Sequence, residues 1–313
     1  MHKNNKRIPI RFKQLWCSYL LTFFLLLNFA LTVNKCFGQT VNGAKIFHFT
    51  SSYTCFPETK RLNGYNYDGQ LYDFSNHYND SSVLLVVPDK LRNEKDKVDI
   101  IFWFHGWRNN IDTALSYYHL ASQFIASNRN AVLVLAEAAK NAPDSYGGKL
   151  EQPGVFKNLL EDVLTDLQRN KIISRTGKAG NIILAGHSGA YRVMAYILQN
   201  GGMEVREVDL FDALYSETDK FMQWIKKDSL NKFIDIYTDS GGTKNVSEQM
   251  MSELKKQNVS FLTGEEKNID QRLLSAARII FIHTTREHND IIFTPDNFQL
   301  FLQSSPFLVG RHY

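Results

Sequence analysis

The chain is predicted to fold as one α/β domain, built around a mostly parallel β-sheet with helices on both faces. From residue 99 onward, short continuous runs of Val, Ile, Leu and Phe alternate with segments whose apolar residues recur at helical spacing. Such continuous runs are typical of strands that helices bury on both sides. No linker rich in Pro, Gly or Ser and no internal repeat interrupts the 275 residues after position 38, which favours a single domain.

The predicted elements follow one another in a regular order along the chain. Two early strands at 44–50 and 82–87 flank residues 53–79, which are rich in Tyr, Asn and Asp and are predicted to form hairpins or loop. The later strands are predicted at 100–104, 131–136, 182–185, 205–211, 233–237 and 278–283. The helices are predicted at 112–127 (with Asp112 as its cap), 155–169, 191–199, 218–227, 247–257 and 295–303.

Residues 1–38 differ from the rest and are predicted to be a secretory signal peptide. Five basic residues within the first 13 positions precede an apolar run from Tyr19 to Val33. Cys36 and Gly38 then provide small residues for cleavage before Gln39. An uncleaved anchor is the alternative, although the run is shorter than the roughly 20 residues that span a bilayer. We therefore expect a secreted or periplasmic protein without stable membrane insertion after cleavage.

Removal of this segment changes the charge and the cysteine content. Residues 1–38 hold six of the 36 Lys and Arg and none of the 32 acidic residues, so 30 basic and 32 acidic residues remain, a net charge of −2. No basic excess is left to favour nucleic acid as a partner. Cys55 is then the only cysteine, which excludes an internal disulfide, and we interpret it as a packed thiol rather than a nucleophile.

Residues 181–192, Asn-Ile-Ile-Leu-Ala-Gly-His-Ser-Gly-Ala-Tyr-Arg, carry the strongest functional signal. A buried-strand pattern runs directly into a turn with Ser188 at its tip, and a helical pattern follows. This is the setting of a nucleophile elbow, where crowding requires small residues two positions before and after the serine, here Gly186 and Ala190. Ser188 is the predicted nucleophile, and an ordinary strand-to-helix turn is the alternative.

A nucleophilic serine needs a base and donors that stabilise the oxyanion. His288 lies in a loop after the last predicted strand and has the freedom to reach Ser188, whereas His283 at the end of that strand is the weaker candidate. His105-Gly106-Trp107 follows the strand at 100–104. The backbone N–H groups of Trp107 and Gly189 are therefore predicted to form the oxyanion hole.

The carboxylate that orients the base has two candidates. Asp212 follows the strand at 205–211, and Asp239 follows the next strand within a Gly-rich turn. Because Asp is common in such turns for conformational reasons alone, Asp212 is the preferred candidate, and Asp239 stays open.

The order Ser188, Asp212, His288, with His105-Gly106 upstream, resembles the α/β-hydrolase superfamily over about residues 83–305. The resemblance implies an eight-stranded, mostly parallel sheet and a serine hydrolase. Ala190 departs from the family's usual glycine. Only one helix fits into residues 213–231, so we expect no large cap domain and an accessible site that suits a bulky or polymeric substrate.

The predicted reaction is hydrolysis of a carboxylic ester through an acyl-enzyme, on a small-molecule or polymeric acyl substrate. A peptidase or cell-wall carboxypeptidase with the same residues stays open, as does an inactive α/β-hydrolase that serves as a surface binding module. Arg192 either binds a substrate carboxylate or forms an ion pair, and the tyrosines of residues 65–78 either stack on sugars or pack. No metal-ligand spacing and no glycine-rich phosphate loop is present, so no cofactor is expected.

Overall fold

The computed structural model describes residues 40–92 and 96–311, and the predicted signal peptide lies outside them. The strands of the described residues are β1 (Thr40–Val41), β2 (Ala44–Thr50), β3 (Tyr65–Tyr67), β4 (Gln70–Tyr72), β5 (Ser82–Pro88), β6 (Lys97–Phe104), β7 (Ala131–Ala136), β8 (Lys178–His187), β9 (Glu207–Phe211), β10 (Lys232–Thr238), β11 (Leu262–Glu265) and β12 (Ile279–Thr284). The α-helices of the same residues are α1 (Phe74–His77), α2 (Ile111–Tyr117), α3 (Leu120–Ala126), α4 (Val155–Arg169), α5 (Tyr191–Asn200), α6 (Thr218–Lys227), α7 (Lys244–Lys256), α8 (Gln271–Ala276) and α9 (Asn297–Ser304).

One large sheet carries the domain, with the strand order β1-β2-β5-β7-β6-β8-β9-β10-β12-β11. The pairs β1–β2, β2–β5 and β5–β7 are antiparallel, and every pair from β7 to β11 along the sheet is parallel. The predicted α/β class with a mostly parallel sheet is thus confirmed. The sheet has ten strands in the described residues where eight were expected, because the short strands β1 and β11 extend its two edges.

Two apolar layers cover the two faces of the sheet. Within β6, Ile100, Phe102 and Phe104 contribute to one cluster, and Ile101 and Trp103 contribute to the other. All five side chains are at most 1% exposed. Alternation along a strand sends successive side chains to opposite faces, so a continuous apolar run marks a strand covered on both sides.

The helix predicted at 112–127 is wrong in two respects, the first being that the structure divides it into α2 and α3. His119 between them has a left-handed backbone, with φ of 52°, which ends the first helix. The cap is also different from the predicted Asp112. Asn110 caps α2 by accepting a hydrogen bond from the Thr113 N–H, and Asp112 lies in the first turn.

The sequence pattern missed the strands β1 and β11 and the helices α1 and α8. β11 alternates half-buried and exposed residues and contains Gly264, so it lacks the apolar run of strands such as β6 and β7. Residues 65–72 form the β3–β4 hairpin, which agrees with the predicted hairpin or loop. No helix of residues 40–92 and 96–311 has the length and hydropathy needed to cross a membrane.

The parallel strands determine where chemistry can occur. β6, β8, β9, β10 and β12 all run in one direction, so their carboxyl ends lie at the same edge of the sheet. The loops that follow these strands contain the predicted site residues, which brings them to one edge despite their separation in sequence. A single helix, α6, connects β9 and β10, as expected for a domain without a cap insertion there.

Candidate active site

Ser188 occupies a strained turn at the end of β8. Its φ is 55°, a left-handed conformation that residues other than glycine adopt rarely. A short 3₁₀ turn at residues 188–190 continues directly into α5. A Cβ atom at Gly186 would lie 2.7 Å from the Ala190 Cβ and 2.6 Å from the Met194 sulfur. Only one of the two flanking positions can therefore carry a methyl group, which explains how Ala190 is accommodated where a second glycine was expected.

His288 and Asp212 form a short hydrogen bond in the loops beyond β12 and β9. Nδ1 of His288 lies 2.6 Å from Oδ2 of Asp212. The Asp212 side chain is completely buried, while 27% of the His288 side chain is exposed. This hydrogen bond fixes the tautomer with the proton on Nδ1, since a carboxylate only accepts, so Nε2 is the acceptor nitrogen of the neutral ring.

Asp212 is kept ionised although it is buried. Burial by itself raises the pKa of this carboxyl, but hydrogen bonds from His288, Thr243 and Thr238 outweigh it and lower the pKa. The Thr238 hydroxyl donates to Oδ2 at 2.7 Å, the Thr238 N–H donates to Oδ1 at 3.2 Å, and the Thr243 hydroxyl also donates to Oδ1. A carboxylate held in this way can stabilise an imidazolium without taking its proton.

Asp239, the other candidate acid, contacts His283 and not His288. His283 is the fifth residue of β12, and its Nε2 lies 3.1 Å from Oδ1 of Asp239. Its Nδ1 lies 3.0 Å from Glu265. Lys244 donates to the same Asp239 oxygen at 2.6 Å. This second histidine has both nitrogens occupied by carboxylates.

Ser188 and His288 line the same cleft, which has a volume of about 750 Å³. Within the described residues no hydrogen bond joins the two side chains. The Tyr215 hydroxyl, which donates to the Gly241 carbonyl at 2.5 Å, lies close enough to Ser188 for the two hydroxyls to interact. Hydrogen bonds between a nucleophile and its base are often long in the absence of substrate, so the serine can turn from Tyr215 toward His288 on binding.

His187, the residue directly before Ser188, contacts the predicted base. Its ring centroid lies 4.4 Å from that of His288, and its Nε2 lies 3.0 Å from the His288 backbone oxygen. Its Nδ1 faces the Tyr118 hydroxyl at 3.1 Å. Burial and the neighbouring His288 lower the pKa of His187 to about 3. His187 therefore stays neutral and donates to the main chain of His288.

Trp107 and Gly189, whose N–H groups were predicted to form the oxyanion hole, are direct neighbours. A Cβ at Gly189 would lie 2.5 Å from Cδ1 of Trp107, and a Cβ at Gly106 would lie 2.6 Å from the Ser188 Cβ. In the described part of the chain, neither amide donates to a turn or loop carbonyl. Trp107 and Gly189 thus lie beside the serine, and the role of their N–H groups in catalysis remains a prediction.

Arg192 lies in an ion pair, and Cys55 lies in the core. Arg192 binds Glu151 through two hydrogen bonds of 2.6 and 3.0 Å, which agrees with the ion-pair alternative. Cys55 is fully buried, and burial raises the pKa of its thiol, as expected for a packed cysteine. No group of His, Cys, Asp or Glu in residues 40–92 and 96–311 is arranged to hold a metal ion.

The tyrosine-rich segment divides between core and cleft rim. Tyr72 and Tyr78 are buried in the core. Tyr67 instead contacts Trp107, with ring centroids 5.2 Å apart. Trp107 and Tyr117 both line the cleft and are 41% and 49% exposed. The cleft thus has an open, aromatic mouth.

Comparisons with known proteins find similarity only at the level of structure. No protein-family model matches the chain. No curated protein sequence matches it either. A feruloyl esterase module from Clostridium thermocellum, complexed with sinapinate, shares 11% identity at a TM-score of 0.49, covering 90% of this chain and 94% of that one.

Two further solved structures give similar values. A ferulic acid esterase from Anaeromyces mucronatus shares 13% identity at a TM-score of 0.48, covering 87% of this chain and 95% of that one. An S-formylglutathione hydrolase from Agrobacterium tumefaciens shares 9% identity at a TM-score of 0.47, covering 85% and 98%. These identities are too low to transfer a substrate or the role of any residue.

Proposed function

We propose that this protein is a serine hydrolase that cleaves carboxylic esters through an acyl-enzyme. His288 removes the proton of Ser188, whose oxygen attacks the ester carbonyl, and the N–H groups of Trp107 and Gly189 bind the resulting oxyanion. His288 then protonates the leaving alcohol. In the second half of the reaction it removes a proton from water, which attacks the acyl-enzyme, and it returns that proton to Ser188. Asp212 holds the imidazole and stabilises its charged form.

The observation that carries this proposal is the His288–Asp212 pair, at the cleft that Ser188 lines. A buried, ionised carboxylate bound to a partly exposed imidazole at 2.6 Å suits a base that must gain a proton during the reaction. The strained backbone of Ser188 supports the same conclusion, because strain at a cleft residue is a feature of functional turns. A binding module without catalytic activity would need neither the His288–Asp212 pair nor the strained backbone of Ser188.

Ester rather than peptide cleavage is preferred because of what surrounds the cleft. Arg192, the residue that a carboxypeptidase would use for a terminal carboxylate, is occupied by Glu151. Trp107 and Tyr117 form an open mouth without a covering domain between β9 and β10, which suits a bulky or polymeric acyl substrate. The residues 1–38 support export, so we propose action outside the cytoplasm.

The first experiment is labelling of the purified protein with a fluorophosphonate probe. Ser188→Ala should abolish labelling with an unchanged circular dichroism spectrum, whereas Ser122→Ala, an exposed helical serine that does not line the cleft, should label normally. Labelling that survives in Ser188→Ala would contradict the proposed nucleophile. A panel of p-nitrophenyl esters and p-nitroanilides with matched acyl groups then separates esterase from amidase activity.

Export is tested separately by mass spectrometry of the protein produced with its own N-terminus. An N-terminus at or near Gln39 is expected. Retention of residues 1–38 in a membrane fraction would favour an uncleaved anchor.

A further inference from the structure

His105 and Glu137 form a second buried histidine–carboxylate pair, beside the predicted oxyanion hole. Nε2 of His105 lies 2.6 Å from Oε1 of Glu137, and both side chains are 1% exposed. His105 follows β6 and Glu137 follows β7, the neighbouring strand. The pair does not line the cleft, so neither residue contacts a substrate there.

Both nitrogens of His105 face acceptors. Nδ1 lies 2.8 Å from the backbone oxygen of Gly106, while Nε2 faces the Glu137 carboxylate. A neutral imidazole has one N–H and satisfies only one of these contacts, whereas an imidazolium donates to both. The Ala138 N–H lies 3.3 Å from both the carboxylate oxygen and Nε2, and it donates to the carboxylate when His105 is charged. Burial lowers the pKa of His105, but Glu137 and the Gly106 carbonyl outweigh it and raise the pKa.

The hydrogen bond to Gly106 determines the direction of the next amide. The peptide between Gly106 and Trp107 is trans, since the cis bonds of the described residues lie elsewhere. In a planar trans peptide, C=O and N–H point in opposite directions. His105 holds the Gly106 oxygen on one side, so the Trp107 N–H is directed to the other. Gly106 itself lies against Ser188, since a Cβ there would be 3.2 Å from the Ser188 oxygen.

We propose that His105, held in its charged form by Glu137, is a positioning residue that orients the Trp107 N–H as an oxyanion donor, an inference that rests on the proposed hydrolase function. The charged imidazole that donates to the Gly106 carbonyl also polarises the peptide between Gly106 and Trp107. This strengthens the hydrogen bond that the Trp107 N–H donates. Glu137→Gln keeps the shape and an acceptor for Nε2 but removes the charge. The neutral imidazole that results loses one of its two donors.

The test compares oxygen esters with thionoesters, whose sulfur accepts hydrogen bonds poorly. In the wild-type protein the oxygen ester should react much faster than the thionoester, because only its oxyanion accepts strong hydrogen bonds from the oxyanion donors. Glu137→Gln should lower kcat for the oxygen ester about 10-fold or more with little change in KM, and leave the thionoester rate nearly unaltered. The ratio of the two rates then falls by the same factor, and His105→Gln should lower it at least as much.

The matched control is Val163→Ala, a fully buried position on α4 that destabilises the core away from this loop. Its ratio of oxygen-ester rate to thionoester rate should equal that of the wild-type protein. Equality would show that a loss of stability alone does not change this ratio. Equal losses for both ester types in Glu137→Gln would mean that the pair is only structural and would overturn the proposal. If the wild-type protein is inert toward both esters and toward the probe, the proposed function itself fails instead.

A measurement on the wild-type protein covers the case in which the variants do not fold. On reaction with a phosphonate, which places an oxygen in the oxyanion position, the Trp107 amide proton should move downfield in the NMR spectrum. The His105 ring should show protons on both nitrogens before and after the reaction. An unchanged Trp107 resonance or a singly protonated ring would contradict the proposal.

Discussion

Two histidine–carboxylate pairs lie at adjacent strand ends, and they differ in nearly every property that matters for catalysis. His288 pairs with Asp212, whose side chain is completely buried and receives three further hydrogen bonds from Thr238 and Thr243. His283 pairs with Asp239, whose side chain is 47% exposed and is shared with Lys244. A distance criterion would accept both pairs. Burial and ring contacts separate them, since both nitrogens of His283 face carboxylates, whereas in the described residues His288 contacts a carboxylate through Nδ1 and also lines the cleft.

The largest expected effect concerns the two histidines. His288→Ala should lower kcat by up to about 10⁶-fold, the loss measured when the base of a serine triad is removed. His283→Ala should retain at least half of the activity, because both of its nitrogens face Glu265 and Asp239 rather than Ser188. Steady-state kinetics with one p-nitrophenyl ester measures both. A comparable loss in His283→Ala would reverse the assignment of the base.

The two aspartates provide the next comparison. Asp212→Asn should lower kcat about 10⁴-fold with the fold intact, because the amide no longer holds the imidazole in the required tautomer. Asp239→Asn should change kcat less than about twofold and affect only a surface network. Turnover and melting temperature are measured for both variants. If Asp239→Asn loses turnover while Asp212→Asn stays active, the orienting acid is Asp239.

His187 tests whether the environment of His288 contributes beyond Asp212. His187→Gln weakens the hydrogen bond to the His288 carbonyl and the ring contact at 4.4 Å, so kcat should fall about 10-fold with little change in KM. The low pKa of His187, about 3, keeps it neutral above pH 5, so the loss should be the same from pH 6 to 9. A rise in KM alone would assign His187 to substrate binding instead.

The smallest expected effect is the contribution of the ion pairs of His283 with Glu265 and Asp239 to the stability of the fold. Glu265 and Asp239 overcome burial and raise the pKa of His283. A histidine with a raised folded-state pKa stabilises the protein below its unfolded pKa, and this contribution disappears as the pH rises through the folded pKa. His283→Gln should therefore lower the melting temperature by roughly 1–2 °C at pH 5 and not at pH 9, a small value because solvent screens the pair. Calorimetry of both proteins at pH 5 and pH 9 measures this difference. A larger loss of melting temperature at pH 9 than at pH 5 would contradict the prediction.

The amino-acid sequence by itself determined the fold class and where the elbow and the loop histidine lie. Continuous apolar runs in β6 and β7 are local signals, because strands that helices cover on both faces consist mostly of apolar residues. The elbow is local as well, since small residues around Ser188 are required by atoms only two to six positions away. His288 was identified from its place after the last strand, which parallel topology brings to the same edge as β8.

Only the tertiary structure decided which groups meet. Gly241, which favoured a simple turn at Asp239, instead allows the approach to Asp212, since a Cβ there would lie 1.7 Å from Oδ2. The contacts of His187 with His288 and of His105 with Glu137 join residues 101 and 32 positions apart. The spacing of apolar residues along the sequence does not predict such contacts, because they depend on the strand register and on the path of the loops. For the same reason, the strands were predictable from neighbours in sequence, whereas the choice between two aspartates required neighbours in space.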